Sequence, residues 1–361
     1  MSWSRAEHAA FGAFILGAVG CAIGIVFAGA DFYAAWLCAF LFWLGLPLAA
    51  LTLMLVHDLT GGRWMGIARP ALAAAIATMP LATLAGIPVM IGRAALYPWP
   101  SASGLGNAFY LNSGFLIARY AFDVVLWNLL AAYALWVPRG IDTGVLPGLS
   151  WLSAVGLLVL AYSVSFAAID WVLSLDPHFW SAIFPMIIGA GWFNTGLAVL
   201  LIAIALTPAG GVAPARMADL AAILLATIIF WAYVEFCQYL IVWEEDLKRE
   251  IPWYLHRLAG GWEAPAWGIA IAGFLIPFWL LLWGPLKRSR PAVIAVGALI
   301  LLSRIVYTWW LVLPDTPHPA AWWLDLAAML ALGGAILLAF LRRLRLGPLP
   351  SPLRLRIGEA R

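Results

Sequence analysis

The sequence predicts an all-α integral membrane protein with about ten transmembrane helices, on two observations. The first is composition: 65% of the 361 residues are apolar and only 10% are charged, whereas a soluble domain carries about 25% charged residues. The second is arrangement, because the apolar residues form long blocks and about 20 such residues cross the hydrocarbon core as a helix. Strands of a membrane barrel would alternate apolar and polar residues, and these blocks do not alternate.

Ten apolar blocks are long enough to cross a bilayer, and we interpret each as one helix. They comprise residues 10–30, 33–56, 70–92, 114–137, 149–170, 181–206, 217–243, 264–286, 291–313 and 320–341. Residues 1–345 are therefore interpreted as one polytopic transmembrane domain and residues 346–361 as a basic cytoplasmic tail.

The first block has a competing interpretation as a secretory signal, because Ala28-Gly29-Ala30 resembles a cleavage site of the A-x-A kind. The apolar core of such a signal is only about 7–15 residues long, and this block is longer. We therefore favour a retained helix.

Basic residues are distributed unequally between the two sides of the predicted helices. With both termini in the cytoplasm, the opposite side holds only Arg93, Lys248, Arg249 and Arg257. Cytoplasmic loops keep an excess of Lys and Arg, so the pattern predicts a multi-pass protein of the bacterial inner membrane with both termini cytoplasmic. The net charge of +3 then reflects attraction to lipid headgroups, and we expect no nucleic-acid partner.

Cysteine and histidine positions argue against a metal or haem held by this chain. Cys21, Cys38 and Cys237 lie inside apolar blocks without the spacing of a zinc or iron-sulfur site. The five histidines lie in loops or at helix ends, whereas a transmembrane haem needs an axial ligand at mid-membrane depth. We expect no metal and no redox cofactor bound by this chain.

Two charged residues in the fourth block are candidates for function. A charge in the hydrocarbon region costs about 2.5–3.5 kcal/mol on insertion scales and therefore faces protein or water. Arg119 and Asp123 are four residues apart, so they share a helix face and can pair. Either this pair simply makes the helix insertable, or it takes part in proton or quinone handling.

The seventh block places Glu235, Gln238 and Tyr239 on one helical face. A carboxyl group without a countercharge in such a block is favoured in its neutral form, which is the state a proton carrier requires. We favour a functional role here over a structural one.

Two further charges lie inside the ninth and tenth blocks. Arg304 is beyond the reach of snorkelling and must find an acceptor. Asp123, Glu235 and Asp325 are its candidate partners, and the sequence does not choose among them.

The segment SVSFAAIDWVLSLDPHFWSAIF, residues 163–184, ends an apolar run in several polar side chains. Asp176 and Pro177 fit the N-cap and first position of the sixth helix. Asp170 and His178 either pass protons to the extracytoplasmic side or hold a hydrogen-bonded loop.

His57 and Asp58 are weaker candidates. Both lie close to the cytoplasmic interface, where solvation or helix capping is the simpler interpretation.

Four segments resemble the ActF-type quinone-binding subunits of bacterial alternative complex III, within the NrfD-like group of polysulfide reductase membrane subunits. They are WLGLPLAALTLMLVHDLTGGRW at 43–64, DWVLSLDPHFWSAIF at 170–184, FWAYVEFCQYLIVWEEDLKREIPWYLHR at 230–257 and SRIVYTWWLVLP at 303–314. The third is the most specific, because an aromatic and glutamine pattern is followed by an acidic turn and Trp-Tyr. The resemblance extends from the second helix to the tenth.

The resemblance implies two four-helix bundles plus two peripheral helices, and a subunit without a redox centre of its own. Its expected function is anchoring, quinone or quinol contact and a proton path within a quinol-oxidising complex that delivers electrons to cytochrome c or another acceptor. The implied partners are subunits with c-type haem and iron-sulfur clusters, a homologous NrfD-like membrane subunit and a terminal oxidase, besides lipid and quinone.

The chain departs from the family pattern at two places. Asp246-Leu247-Lys248-Arg249-Glu250 replaces the usual Asn-Leu-Pro-Glu-Glu-like turn, and Tyr307 stands where the family commonly has an acid one turn after the arginine of the ninth helix. The salt bridge of that helix is therefore not expected here.

Two other functions compete with the quinol-oxidising one. The first is a proton-coupled secondary transporter with Arg119, Asp123 and Glu235 at a midplane site, in which Gly45-x-Pro47 and the segment from Pro80 to Pro88 break helices. The second is a purely structural anchor.

Overall fold

The fold described here is a computed structural model. It describes residues 3–62, 64–100, 107–137, 139–140, 144–145, 149–207, 213–316 and 322–346. Within these ranges ten helical segments are long and apolar enough to cross a membrane, which confirms the predicted class. We call them spans 1 to 10 in chain order.

Six spans are single α-helices. They are span 1, Trp3–Phe27; span 2, Ala30–Thr60; span 4, Ser113–Trp136; span 6, Phe184–Ala205; span 7, Pro214–Glu244; and span 10, Trp322–Leu346. The predicted tail beyond Leu346 lies outside the described residues.

The other four spans are interrupted. Span 3 consists of Met65–Ile76, Met79–Leu84 and Ile87–Ile91; span 5 of Ser150–Trp171 and the 3₁₀ turn Leu173–Leu175; span 8 of Glu263–Ala270, the π-helical turn Ile271–Leu275 and Ile276–Leu282; and span 9 of Arg290–Val312 and the 3₁₀ turn Leu313–Asp315. Pro80 and Pro88 each occupy the first turn of a new helix in span 3, because proline has no N–H to continue the preceding helix.

Shorter elements connect the spans. These are the helices Arg93–Leu96, Ile251–Arg257 and Gly284–Arg288, and the two-residue strands Arg139–Gly140 and Gly144–Val145, which pair antiparallel.

The spans form two four-helix bundles and a peripheral pair, as the resemblance implied. Spans 2 to 5 pack around one another as the first bundle, and spans 6 to 9 as the second. Span 2 also packs against span 6 and joins the bundles, while spans 1 and 10 pack together outside span 2.

The seam between the bundles depends on glycine. A Cβ at Gly45 would lie 2.7 Å from the Trp192 carbonyl oxygen, and one at Gly196 would lie 2.3 Å from the Gly45 carbonyl oxygen. Small residues allow this approach of two helix backbones within a membrane. The break expected around Pro47 is absent, because span 2 continues through it as one helix.

The sixth helix begins at Phe184, so its predicted start at Asp176 and Pro177 is wrong. Pro185 fills the first helical turn. Asp176 instead closes a turn in which its Oδ1 accepts a hydrogen bond from the His178 backbone N–H at 2.9 Å. The turn uses the same tendency of Asp to bind nearby backbone N–H groups that favours it at helix starts.

With ten spans, both described ends lie on the same side of the bundles. We call this side the terminal face. The other side, the distal face, carries residues 92–100, 107–112, 172–183 and 245–262.

Candidate functional site

Arg119 of span 4 pairs with Asp170 of span 5, next to the distal face. Its Nε donates to Asp170 Oδ2 at 2.7 Å and its Nη2 to Oδ1 at 2.8 Å. The predicted pairing with Asp123 is wrong, because the planar guanidinium fork matches both oxygens of a carboxylate on the facing helix. Asp123 is buried one turn deeper and makes no ion pair within the described part of the chain.

Aromatic side chains complete the surroundings of this ion pair. The Arg119 guanidinium carbon lies 3.9 Å from the ring centroid of Tyr110 and 4.2 Å from that of Phe115. Burial, and then the nearby Asp170 carboxylate, raise the pKa of the Tyr110 hydroxyl above its ordinary value. The hydroxyl therefore keeps its proton at neutral pH.

A cavity of about 330 Å³ opens beside this cluster on the distal face. Its walls are formed by Asn107, Tyr110, Leu111, Ile169, Leu173, Ser174, Asp176, Pro177, Phe179 and Trp180. This volume falls in the range of about 300–1,000 Å³ typical of small-molecule sites. The polar and aromatic residues that end the 163–184 segment therefore surround a pocket.

His178 is exposed on the same turn but does not meet Asp170. Asp170 is only 2% exposed and is occupied by Arg119. No hydrogen bond or ion pair joins His178 to Asp170 among the described residues.

Glu235, Gln238 and Tyr239 have separate partners in spite of their common helix face. Glu235 Oε2 accepts a hydrogen bond from the Tyr307 hydroxyl of span 9 at 2.8 Å. Gln238 Oε1 accepts one from Ser181 in the distal loop. Tyr239 packs on Trp243 and Tyr254 near the distal face, with ring centroids 5.8 and 5.4 Å away. The three side chains therefore do not form one site.

Arg304 lies at the centre of the second bundle. Its guanidinium carbon is 3.6 Å from the ring centroid of Trp231 in span 7. Of the three acids expected as partners, Glu235 belongs to this cluster, but it accepts from Tyr307 instead. The expected ion pair of Arg304 is absent within the described residues. Asp325 is buried in the first turn of span 10, near Cys38 of span 2.

His57 and Asp58 are buried at the terminal end of span 2, so solvation is the wrong interpretation for both. His57 Nε2 lies 3.0 Å from the Gly62 carbonyl oxygen. Asp58 Oδ2 accepts from Ser153 Oγ at 2.7 Å, which in turn lies 2.9 Å from the Tyr133 hydroxyl. These contacts hold the ends of spans 2, 4 and 5 together.

The sequence reasoning missed the buried pair of Arg257 and Asp315. Arg257, at 0% exposure, comes from the helix Ile251–Arg257 and forms a bidentate contact with Asp315. It also donates to the carbonyl oxygens of Trp310 and Leu311 at 3.1 and 2.7 Å and lies 3.6 Å from the Trp253 ring centroid. An arginine four residues after a tryptophan, in a short apolar helix, was the available signal.

No family model matches the chain, and no curated protein matches it closely enough to count as a relative. Among the described residues, no three His, Cys, Asp or Glu side chains come together where they could hold a metal ion. The functional argument therefore rests on the geometry of the cavity and of the buried charges.

Proposed function

We propose that this chain is the membrane subunit of a quinol-oxidising respiratory complex and that it binds the quinol head group in the distal cavity. The observation that carries this proposal is the cavity of about 330 Å³ between the distal loops and the end of span 5. Its position at a helix end allows a polar head group to enter while an apolar tail stays in the lipid.

The lining of the cavity suits a quinol ring. Tyr110, Phe179 and Trp180 supply aromatic walls, and Asn107, Ser174 and Asp176 supply polar atoms. Aromatic walls with a few polar groups fix the orientation of a flat ligand. The Arg119–Asp170 ion pair holds Tyr110 in place through the stacked guanidinium.

The chemistry also fits the distal face. Oxidation of a quinol to a quinone releases two protons and two electrons. Asp176 on the cavity wall would accept the two protons one after the other, and His178, exposed two residues further on, would pass each of them to solvent. The electrons leave to an iron-sulfur cluster or c-type haem in a partner subunit docked on the distal face, which in this proposal is the extracytoplasmic side of the bacterial inner membrane.

The transporter hypothesis receives no comparable support. Its midplane site needs Arg119, Asp123 and Glu235 together. Arg119 and Asp123 belong to the first bundle, whereas Glu235 belongs to the second. Arg119 is occupied by Asp170, and Glu235 by Tyr307.

Filling the cavity tests the binding site. Asn107→Trp places an indole in the cavity, whereas Phe109→Trp changes an 83% exposed residue of the same turn that does not line it. We expect Asn107→Trp to weaken labelling by a photoreactive quinone at least tenfold, about 1.4 kcal/mol, and Phe109→Trp to leave it unchanged. Equal labelling of both variants, or labelled peptides outside the cavity, would contradict the site.

Membership in a complex is tested separately. The chain, gently solubilised from its native membrane, should co-purify with polypeptides that show a c-type haem spectrum and an iron-sulfur signal. A chain that purifies alone under these conditions is not a subunit of such a complex.

A further inference from the structure

The second bundle contains a buried cation whose hydrogen-bonding groups have no partners. Arg304 is 2% exposed and lies near the middle of span 9. Its Nε, Nη1 and Nη2 have no hydrogen-bond partner among the described residues. A guanidinium carries five N–H donors, and a charge that is buried without compensation is strongly unfavourable. The site therefore needs an acceptor, preferably a charged one.

The neighbouring side chains do not supply that acceptor. The faces of Trp231 and Tyr307 attract the cation from 3.6 and 5.3 Å, but they take no hydrogen bond in the guanidinium plane. Glu235 accepts a hydrogen bond from the Tyr307 hydroxyl and makes no ion pair with Arg304.

Two glycines lie at the edge of the guanidinium. Only the Gly191 side leaves room for a methyl group at ordinary contact distance, because a Cβ at Gly273 would lie 2.5 Å from Ser303 Oγ. A Cβ at Gly191 of span 6 would lie 3.6 Å from Nη1, and one at Gly273, in the π-helical turn of span 8, would lie 3.7 Å from Nη2. Turns of this kind are rare and are frequent at functional sites. The donors of Arg304 are thus left uncovered by side chains from either flanking helix.

A cavity of about 20 Å³ lies on the Gly191 side of Arg304. Arg304, Tyr307, Thr195 and Thr308 contribute to its walls along with Gly191. About 10–15 Å³ is enough for one water, so the cavity takes one particle of roughly that size. A sulfate or an organic carboxylate does not fit.

We propose that Arg304 and this cavity form a binding site for one small monovalent anion, of which chloride is the abundant example. A water in the cavity would accept a hydrogen bond but leave the positive charge uncompensated, whereas a halide does both. The cavity lies at the seam between the bundles, since Leu41 and Phe42 of span 2 and Val172 of span 5 also line it. It shares no lining residue with the quinol cavity proposed on the distal face.

The dependence of thermal stability on anions tests this proposal with the full chain in detergent. A ligand that binds only the folded state raises stability in proportion to ln(1 + [L]/Kd). At constant ionic strength, replacing gluconate by chloride should raise the unfolding temperature progressively, and bromide should act like chloride. Identical unfolding temperatures in gluconate and chloride would overturn the proposal.

Two glycine variants locate the effect. Gly191→Ala puts a methyl group into the cavity at ordinary contact distance, 3.6 Å from Nη1 and 4.0 Å from Tyr307 Cε1, and should abolish the chloride response. Gly189→Ala is the matched control on the same helix, since its Cβ meets only Val164 Cγ1 at 3.4 Å and it does not line the cavity; it should respond like the wild type. A full response in Gly191→Ala would overturn the proposal.

A Glu235 variant tests whether the Glu235 carboxylate, instead of a bound anion, is the countercharge of Arg304. If this carboxylate were the countercharge of Arg304, the wild type would ignore chloride and Glu235→Gln would gain a response, which contradicts the proposal. With the anion site as proposed, the wild type and Glu235→Gln both respond to chloride.

Discussion

Arg119 in the first bundle and Arg304 in the second are buried in opposite kinds of surroundings. Arg119 meets a carboxylate with both arms of its fork and keeps 13% of its side chain exposed. Arg304 lies on the face of an indole, and its nitrogens reach no acceptor among the described residues. The same residue type is thus compensated by an ion pair in one bundle, and in the other it meets ring faces without an ion pair among the described residues.

The difference shows which buried charges hold the fold and which remain available for a ligand. A bidentate pair satisfies both partners, so removing either one leaves a buried charge uncompensated. Removing an arginine that has no ion-pair partner leaves no buried carboxylate without its countercharge. Variants at the paired and unpaired arginines should therefore differ in the size of their effect on stability.

The largest effect is expected at Arg257, which is 0% exposed and so more completely enclosed than Arg119. Arg257→Gln removes the countercharge of Asp315 and the donors to two carbonyl oxygens of span 9. We expect the free energy of unfolding to fall by about 3–5 kcal/mol, measured by denaturant titration in micelles. Arg249→Gln, an exposed residue nearby, serves as the control; an equal effect of both would show that Arg257 is not structural.

A somewhat smaller effect is expected for Asp170→Asn. The neutral amide leaves the Arg119 charge uncompensated, although the Arg119 Nη atoms still donate to the Tyr110 carbonyl oxygen at 3.3 Å. We expect a loss of about 3 kcal/mol, and recovery of part of it in the double variant Arg119→Met with Asp170→Leu. A loss that grows in the double variant would mean that the pair contributes packing instead of charge compensation.

Hydropathy was enough to find the spans, because a bilayer demands long apolar helices whatever their contacts. Helix ends were harder. Asp176-Pro177 has the residues of a helix start, yet Pro185 begins the helix, because short polar side chains form turns and caps with the same hydrogen bonds. Block length could not decide between the two positions.

The partners of buried charges were beyond reach of the sequence for a different reason. Spacing along one helix suggested that Arg119 meets Asp123, but the better carboxylate comes from span 5, 51 residues away. Which helix faces which depends on contacts such as that of Gly45 with Trp192 and Gly196. Arg257 was missed because a basic residue in a loop is usually exposed.

The smallest change is expected at Arg304, and it separates the two bundles most directly. In chloride-free buffer Arg304→Met relieves the cost of a buried charge that has no ion-pair partner among the described residues, but it also removes the attraction of that charge to the Trp231 face. The two effects oppose each other, so the free energy of unfolding should stay within about 1 kcal/mol of the wild type. Arg119→Met under the same conditions should cost several times more, because Asp170 loses its countercharge. The two variants are compared by the same denaturant titration. Equal losses would mean that Arg304 is compensated as fully as Arg119, and the contrast between the bundles would then disappear.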